Sequence, residues 1–248
     1  MARRVRVLLL TVPLLLAAVL APAVPASAVI GGSVSRYGPW AVRMLVDGKQ
    51  ECTGTAVAPQ WIISASHCFF EQAQPVADSR ITFRVGSLDE RKGSTVHPVR
   101  GSRVGNPKAD MMLIEVPPMK VRVARLATAG ARPGRLVRQY GWGATCPGDE
   151  NTCQSPVLKQ SDLRVLPSDD PGCAGLATPG GTDFCARKVS GIPAGGDSGG
   201  PVMTIGPCGS ESLIGVFFGS DRAEFAGAGE VSQQLKWIRS VTAGHSGH

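Results

Sequence analysis

Histidine is scarce in this chain, with four among 248 residues, so any chemistry that needs an imidazole has few candidates. There are seven cysteines but no Cys-x2-Cys pair, which speaks against a zinc centre. No block of like charge occurs, and that excludes the basic tracts that grip nucleic acid or a membrane surface. The N-terminal apolar run, Val7 to Leu20, is interrupted by Pro13 and falls short of the roughly 20 residues that span a bilayer. Internal repeats, strand–helix alternation and a recognisable calcium loop are all missing. No cofactor and no metal is implied.

What is present begins with an address. Met1-Ala-Arg-Arg-Val-Arg precedes the apolar run, and small residues end in Ala26-Ser27-Ala28. Charged start, short apolar core and A-x-A exit predict a secretory signal peptide over 1–28, and therefore a secreted, extracellular protein. Cleavage after Ala23 instead would leave a propeptide, 24–28. Without 1–28 the chain has 220 residues and its net charge falls from +7 to +4, a length ordinary for one all-β protein. Export places the cysteines where disulfides persist, and an odd count leaves at least one without an intrachain partner. Arginine outnumbers lysine, 19 to 7, which suggests a GC-rich genome and a bacterial source.

Glycine (31) and proline (19) make up a fifth of the chain. Between them lie short runs at 61–65, 81–85, 111–116, 136–140 and 213–218. Short strands with frequent turn signals predict a sandwich or barrel. Val231, Leu235, Ile238 and Val241 recur at helical spacing and predict a helix over 231–242 that docks by one face. The tail, 244–248, is polar and expected to be disordered; its His245 and His248 read as part of a frayed end.

The chemistry concentrates in Gly195-Gly-Asp-Ser-Gly-Gly-Pro201. A serine hydroxyl needs a base to become a nucleophile and N–H donors for the oxyanion it creates. The N–H groups of Gly196 and Ser198 are the candidates for that hole. Among the histidines, His97 reads as a surface residue and the two in the tail as frayed. His67, in Ser64-Ala-Ser-His-Cys68, is the candidate base. Asp110, directly before the apolar run Met111-Met-Leu-Ile114, is a candidate to orient it, though acids are plentiful and position alone does not select it.

Together these segments resemble the trypsin and chymotrypsin family of serine proteases. Ser-Ala-Ser-His-Cys is similar to its Thr-Ala-Ala-His-Cys, Asp-Met-Met-Leu-Ile to its Asp-Ile-Ala-Leu-Leu, and Gly-Asp-Ser-Gly-Gly-Pro is its nucleophile motif unchanged. Val29-Ile-Gly-Gly32 resembles its activated N-terminus. The resemblance runs from Val29 to the C-terminal helix. It implies an all-β fold of two packed antiparallel six-stranded barrels with a C-terminal α-helix, with the barrels over about 29–134 and 135–243. It implies a serine endopeptidase with His67, Asp110 and Ser198 as catalytic residues, and an ion pair between a freed Val29 amine and Asp197. Signal peptidase cutting before Val29 would then release an active enzyme directly. The implied disulfides are Cys52–Cys68, Cys173–Cys185 and Cys146–Cys153, with a Cys208 bridge to Cys146 or Cys153 left open. The partners implied are a protein or peptide substrate and a proteinaceous inhibitor, not nucleic acid or membrane, and the chain is expected to be a monomer.

The sequence departs from the family around the pocket. Trypsin-like members carry Asp six residues before the nucleophile, where this chain has Ile192. Phe217-Phe218-Gly219 stands for the wall sequence Ser-Trp-Gly and lacks the serine that supports the catalytic Asp. Ala194 replaces a cysteine. An apolar floor gives a lysine or arginine no partner, so apolar substrate side chains are expected unless Asp221 or Glu224 reaches the pocket. Two other readings remain to weigh. One is a protease-like scaffold that binds a partner without catalysis. The other is an α/β-hydrolase, which needs the order Ser, acid, His and fails because only tail histidines follow Ser198.

Overall fold

Ile81–Val85 alternates apolar and polar residues, and the alternation becomes burial: Ile81, Phe83 and Val85 are buried while Thr82 and Arg84 are half-buried. The computed structural model describes residues 29–207 and 209–244. The signal segment, Cys208 and the tail histidines His245 and His248 lie outside the described residues. Ile81–Val85 belongs to an antiparallel seven-stranded sheet in the order Ser94–Val96, Ile81–Val85, Ala41–Val46, Lys49–Ala58, Trp61–Ser64, Met112–Glu115, Val104–Gly105. One face carries Val42, Met44, Ile62, Phe83, Met112 and Ile114 into a shared core.

The second half closes on itself. Lys159–Val165, Leu136–Gly141, Pro201–Thr204, Ser212–Ser220, Phe225–Glu230 and Asp183–Ser190 pair in that order, and the last pairs back to the first, giving a six-stranded barrel. Ser33–Val34 adds to its outside along Lys159–Val165, and Arg125–Leu126 adds in parallel along Ser212–Ser220. The expected architecture, all-β with a C-terminal helix, is present.

Because side chains alternate across a strand, the first sheet has a second apolar face. Trp61, Ile63 and Leu113 point there and meet Tyr140, Trp142, Met203, Leu213 and Val216 from the second half. Trp40 stacks edge-on against Tyr140 at 4.9 Å between ring centres. The helix Val231–Gly244 closes this shared core with Val231 and Ile238, flanked by Leu235 and Val241. Its buried Gln234 accepts a hydrogen bond from Asn106 Nδ2 at 2.9 Å. Asn106 in turn accepts the backbone N–H groups of Lys108 and Ala109, which fixes the turn just before Asp110.

Candidate active site

His67 lies in the short 3-10 helix Ser66–Phe69, tied by the disulfide Cys52–Cys68 to strand Lys49–Ala58. Asp110 enters at the mouth of strand Met112–Glu115. The two meet: His67 Nδ1 is 2.5 Å from Asp110 Oδ2, and the His67 backbone N–H donates to Asp110 Oδ1 at 3.0 Å. Burial pushes the Asp110 carboxyl up, but the bonds from His67 outweigh it and hold the group below the usual carboxylate range. No hydroxyl comes from Phe217, and about a third of the Asp110 side chain stays open to solvent.

Ser198 comes from the other half and is brought to His67 through strand Lys49–Ala58. Thr53 N–H donates to the Ser198 carbonyl at 2.8 Å, and Cys68 Sγ lies 3.8 Å from that same oxygen. Among the described residues no hydrogen bond joins Ser198 Oγ to the His67 ring; such contacts are often long without substrate and tighten in the complex. The turn after the serine demands glycine. Gly199 has φ +78°, and a Cβ there would lie 1.9 Å from Ser64 Oγ.

Peptide orientations in this loop are set one by one. The Gly195 carbonyl accepts from Ala144 N–H at 2.8 Å. In a trans peptide the N–H points opposite to the carbonyl, so the Gly196 N–H faces the other way. Among the described residues neither the Gly196 nor the Ser198 N–H has a protein acceptor. Buried N–H groups are nearly always paired, so two unpaired donors beside a serine and a His–Asp pair set this loop apart from the surrounding backbone.

A sequence model of one family, described as Trypsin, matches residues 29–238. The chain belongs to the trypsin family. It is a serine endopeptidase by that membership. Similar proteins include Trypsin iota of Drosophila melanogaster, 28% identical over 76% of each chain. Anionic trypsin of Canis lupus familiaris is 28% identical over 80% of this chain and 83% of its own. Granzyme M of Homo sapiens is 28% identical over 86% and 89%. These relatives are animal proteins and lend no support to a bacterial source.

Within this trypsin-family frame the disulfides Cys52–Cys68, Cys146–Cys153 and Cys173–Cys185 are formed. The described side chains of metal-ligating type that cluster are Cys52, His67 and Cys68; both sulfurs are tied up in the bridge. Val29 and Asp197 are both fully buried. Ile30 pairs with Ile192, whose N–H donates to the Ile30 carbonyl at 2.9 Å. Asp197 accepts the N–H groups of Gly143 at 2.8 Å and Ala194 at 2.9 Å. Burial still pushes its carboxyl up to about 6, against those bonds and the charge of Arg43.

Where the family has its pocket, Ile192 and Phe217 are 1% exposed and belong to the core of the barrel. Phe218 and Gly219 beside them are half-buried. The Phe218 ring covers Gly227, where a Cβ would lie 2.5 Å from it. Asp221 Oδ1 is occupied by three backbone N–H groups of its own turn, those of Ala223, Glu224 and Phe225. Glu224 pairs with Arg187 at 3.1 Å. The rim has another fastening that sequence reasoning missed. Ser220 Oγ donates to the Pro193 carbonyl at 2.5 Å. Glu150 accepts the Gly195 N–H at 2.9 Å and is bound twice by Arg222, at 2.6 and 3.1 Å. Hydrogen bonds and an ion pair thus tie the two sides of the pocket where the family's cysteine is Ala194. His97 is exposed and its ring lies 3.2 Å from the Ile81 carbonyl.

Proposed function

We propose that Ser198 is the nucleophile, His67 its base and Asp110 the group that orients His67, in a secreted endopeptidase working through an acyl-enzyme. His67 takes the Ser198 proton as Oγ attacks the peptide carbonyl, then gives it to the leaving amine; water repeats the sequence in reverse roles. Gly196 and Ser198 N–H receive the oxyanion. A freed Val29 amine pairs with Asp197. The observation that carries this reading is the 2.5 Å His67–Asp110 contact beside two open N–H donors.

The primary preference is for apolar side chains. Phe218 lines the wall, Ile192 stands behind it, and the nearby acids Asp221 and Glu224 are engaged elsewhere. A lysine or arginine entering there would lose solvation without gaining a counter-charge. Secretion rests on the N-terminal sequence; among the described residues no helix is long and apolar enough to cross a membrane.

Fluorophosphonate labelling of the protein beginning at Val29, mapped by peptide mass spectrometry, tests the nucleophile. The expected result is a single adduct on Ser198 that Ser198→Ala abolishes. An unlabelled protein would favour the binding scaffold, whose altered wall, Phe217 and Phe218, would then be the first suspect.

A further inference from the structure

Strand Ala41–Val46 holds a charge where its pattern shows none to be needed. Val42 and Met44 face the core of the first sheet, so Arg43 faces the opposite way, and there it is fully buried. Burying a guanidinium costs several kcal/mol unless it is paired and hydrogen-bonded. Every arm of Arg43 is. Nε donates to Glu90 Oε2 at 3.2 Å, Nη2 to Gln154 Oε1, and Nη1 to the carbonyls of Cys52 at 3.2 Å and Gly196 at 2.9 Å. Thr53 Oγ1 adds a second bond to the Gly196 carbonyl at 2.8 Å.

Gly196 is the residue whose N–H must face the oxyanion. At φ +90° with no Cβ it can swing more freely than any other residue. Its following peptide is held at both ends: Arg43 and Thr53 hold the carbonyl, and the Asp197 N–H donates to the Ala194 carbonyl at 3.0 Å. Its preceding peptide rests on the single Ala144 bond. A charge-assisted bond is about twice as strong as a neutral one, so Arg43 is the strongest of these clamps. It comes from the opposite half of the molecule.

We propose that Arg43 is a positioning residue for the oxyanion hole: its guanidinium, anchored on Glu90, holds the Gly196 carbonyl inward so that the Gly196 N–H stays turned toward substrate. This rests on the reading of Ser198 as nucleophile. Arg43 touches no substrate and acts through the Gly196 peptide alone.

The test compares Arg43→Met and Arg43→Lys with the unaltered enzyme on a peptide amide substrate, and measures inhibition by a peptide aldehyde, which mimics the tetrahedral adduct, and by the matching product acid. Misplacing a catalytic group by an ångström costs about 10²-fold. Arg43→Met is therefore expected to lower kcat by about 10²-fold, with KM shifted by less than about threefold, and to weaken the aldehyde by the same factor as kcat/KM. Affinity for the product acid should hold. Arg43→Lys, whose ammonium reaches fewer acceptors, should recover about tenfold of the loss. If Arg43→Met does not fold, Arg43→Lys alone decides, with an expected kcat loss of about tenfold. Unchanged kcat, or a loss confined to KM, overturns the proposal. An unaltered enzyme that fails to label at Ser198 would instead overturn the assignment of the nucleophile. Crystal structures then still judge the clamp: in the folded variant the Gly195 carbonyl should leave the Ala144 N–H, and if it stays the clamp is refuted.

Discussion

Asp197 carries a carboxylate with no surface on which to spread its charge. In the chain with residues still joined to Val29, burial lifts its pKa to about 6, against about 3.9 in an unfolded chain. A carboxyl raised in this way favours the fold most while protonated. Its contribution is complete below about pH 3.9 and is lost as pH rises through about 6, by about 3 kcal/mol in all. A freed Val29 ammonium would cancel the shift by favouring the charged form. Two Ser198→Ala proteins, one beginning at Val24 and one at Val29, test this through denaturant midpoints at pH 4 and pH 7.5. The Val24 form should lose most of that energy between the two and the Val29 form much less; equal slopes would dismiss the ion pair. Single residues were unevenly legible. His67, Asp110 and Ser198 could be picked out because each stands in a motif. Arg43 could not, because an arginine alternating with Val42 and Met44 reads as a solvent-facing residue. Nothing local reveals that the other half of the molecule lies across that face.

At the scale of elements, strands announced themselves where β-branched residues alternate, as at Ile81–Val85, and hid where other demands rule. Phe225–Glu230 is built largely of alanine and glycine, a poor strand by propensity. It pairs on both sides within the barrel, and its Gly227 lies under Phe218 and its Gly229 against Met111, where larger side chains would collide. Lys49–Ala58 is polar and glycine-broken yet holds the middle of the first sheet. The loop closed by Cys146–Cys153 carries no signal in its residues for what it does in the fold. It carries Glu150 onto the Gly195 N–H and onto Arg222, and so acts as a strut across the pocket rim. Both side chains are partly exposed, so the coupling is expected to be modest, about 1 kcal/mol. Glu150→Gln and Arg222→Gln should each raise KM by about threefold to tenfold with kcat less affected, and the double variant should be no worse than the worse single one. Fully additive losses would show that the two act apart.

The whole molecule divides the proposed catalytic groups between two halves. His67 and Asp110 belong to the first sheet, Ser198 to the barrel, and Arg43 reaches from one to the other. Such a site survives only if the halves cannot drift, and the shared apolar core supplies that constraint. Leu113, fully buried, lies on the first sheet's outer face among residues of both halves. Leu113→Ala should cost about 2–5 kcal/mol, the range for opening a cavity at a buried leucine. Because the core is common property, the loss should lower the stability of both halves together. Tryptophan fluorescence and the rate of Ser198 labelling, followed through one denaturant titration, should move to the same lower midpoint and remain coincident, the signature of one cooperative unit. If labelling were lost well before fluorescence changed, the halves would separate first, and the active site would depend on a docking equilibrium rather than on a single continuous core.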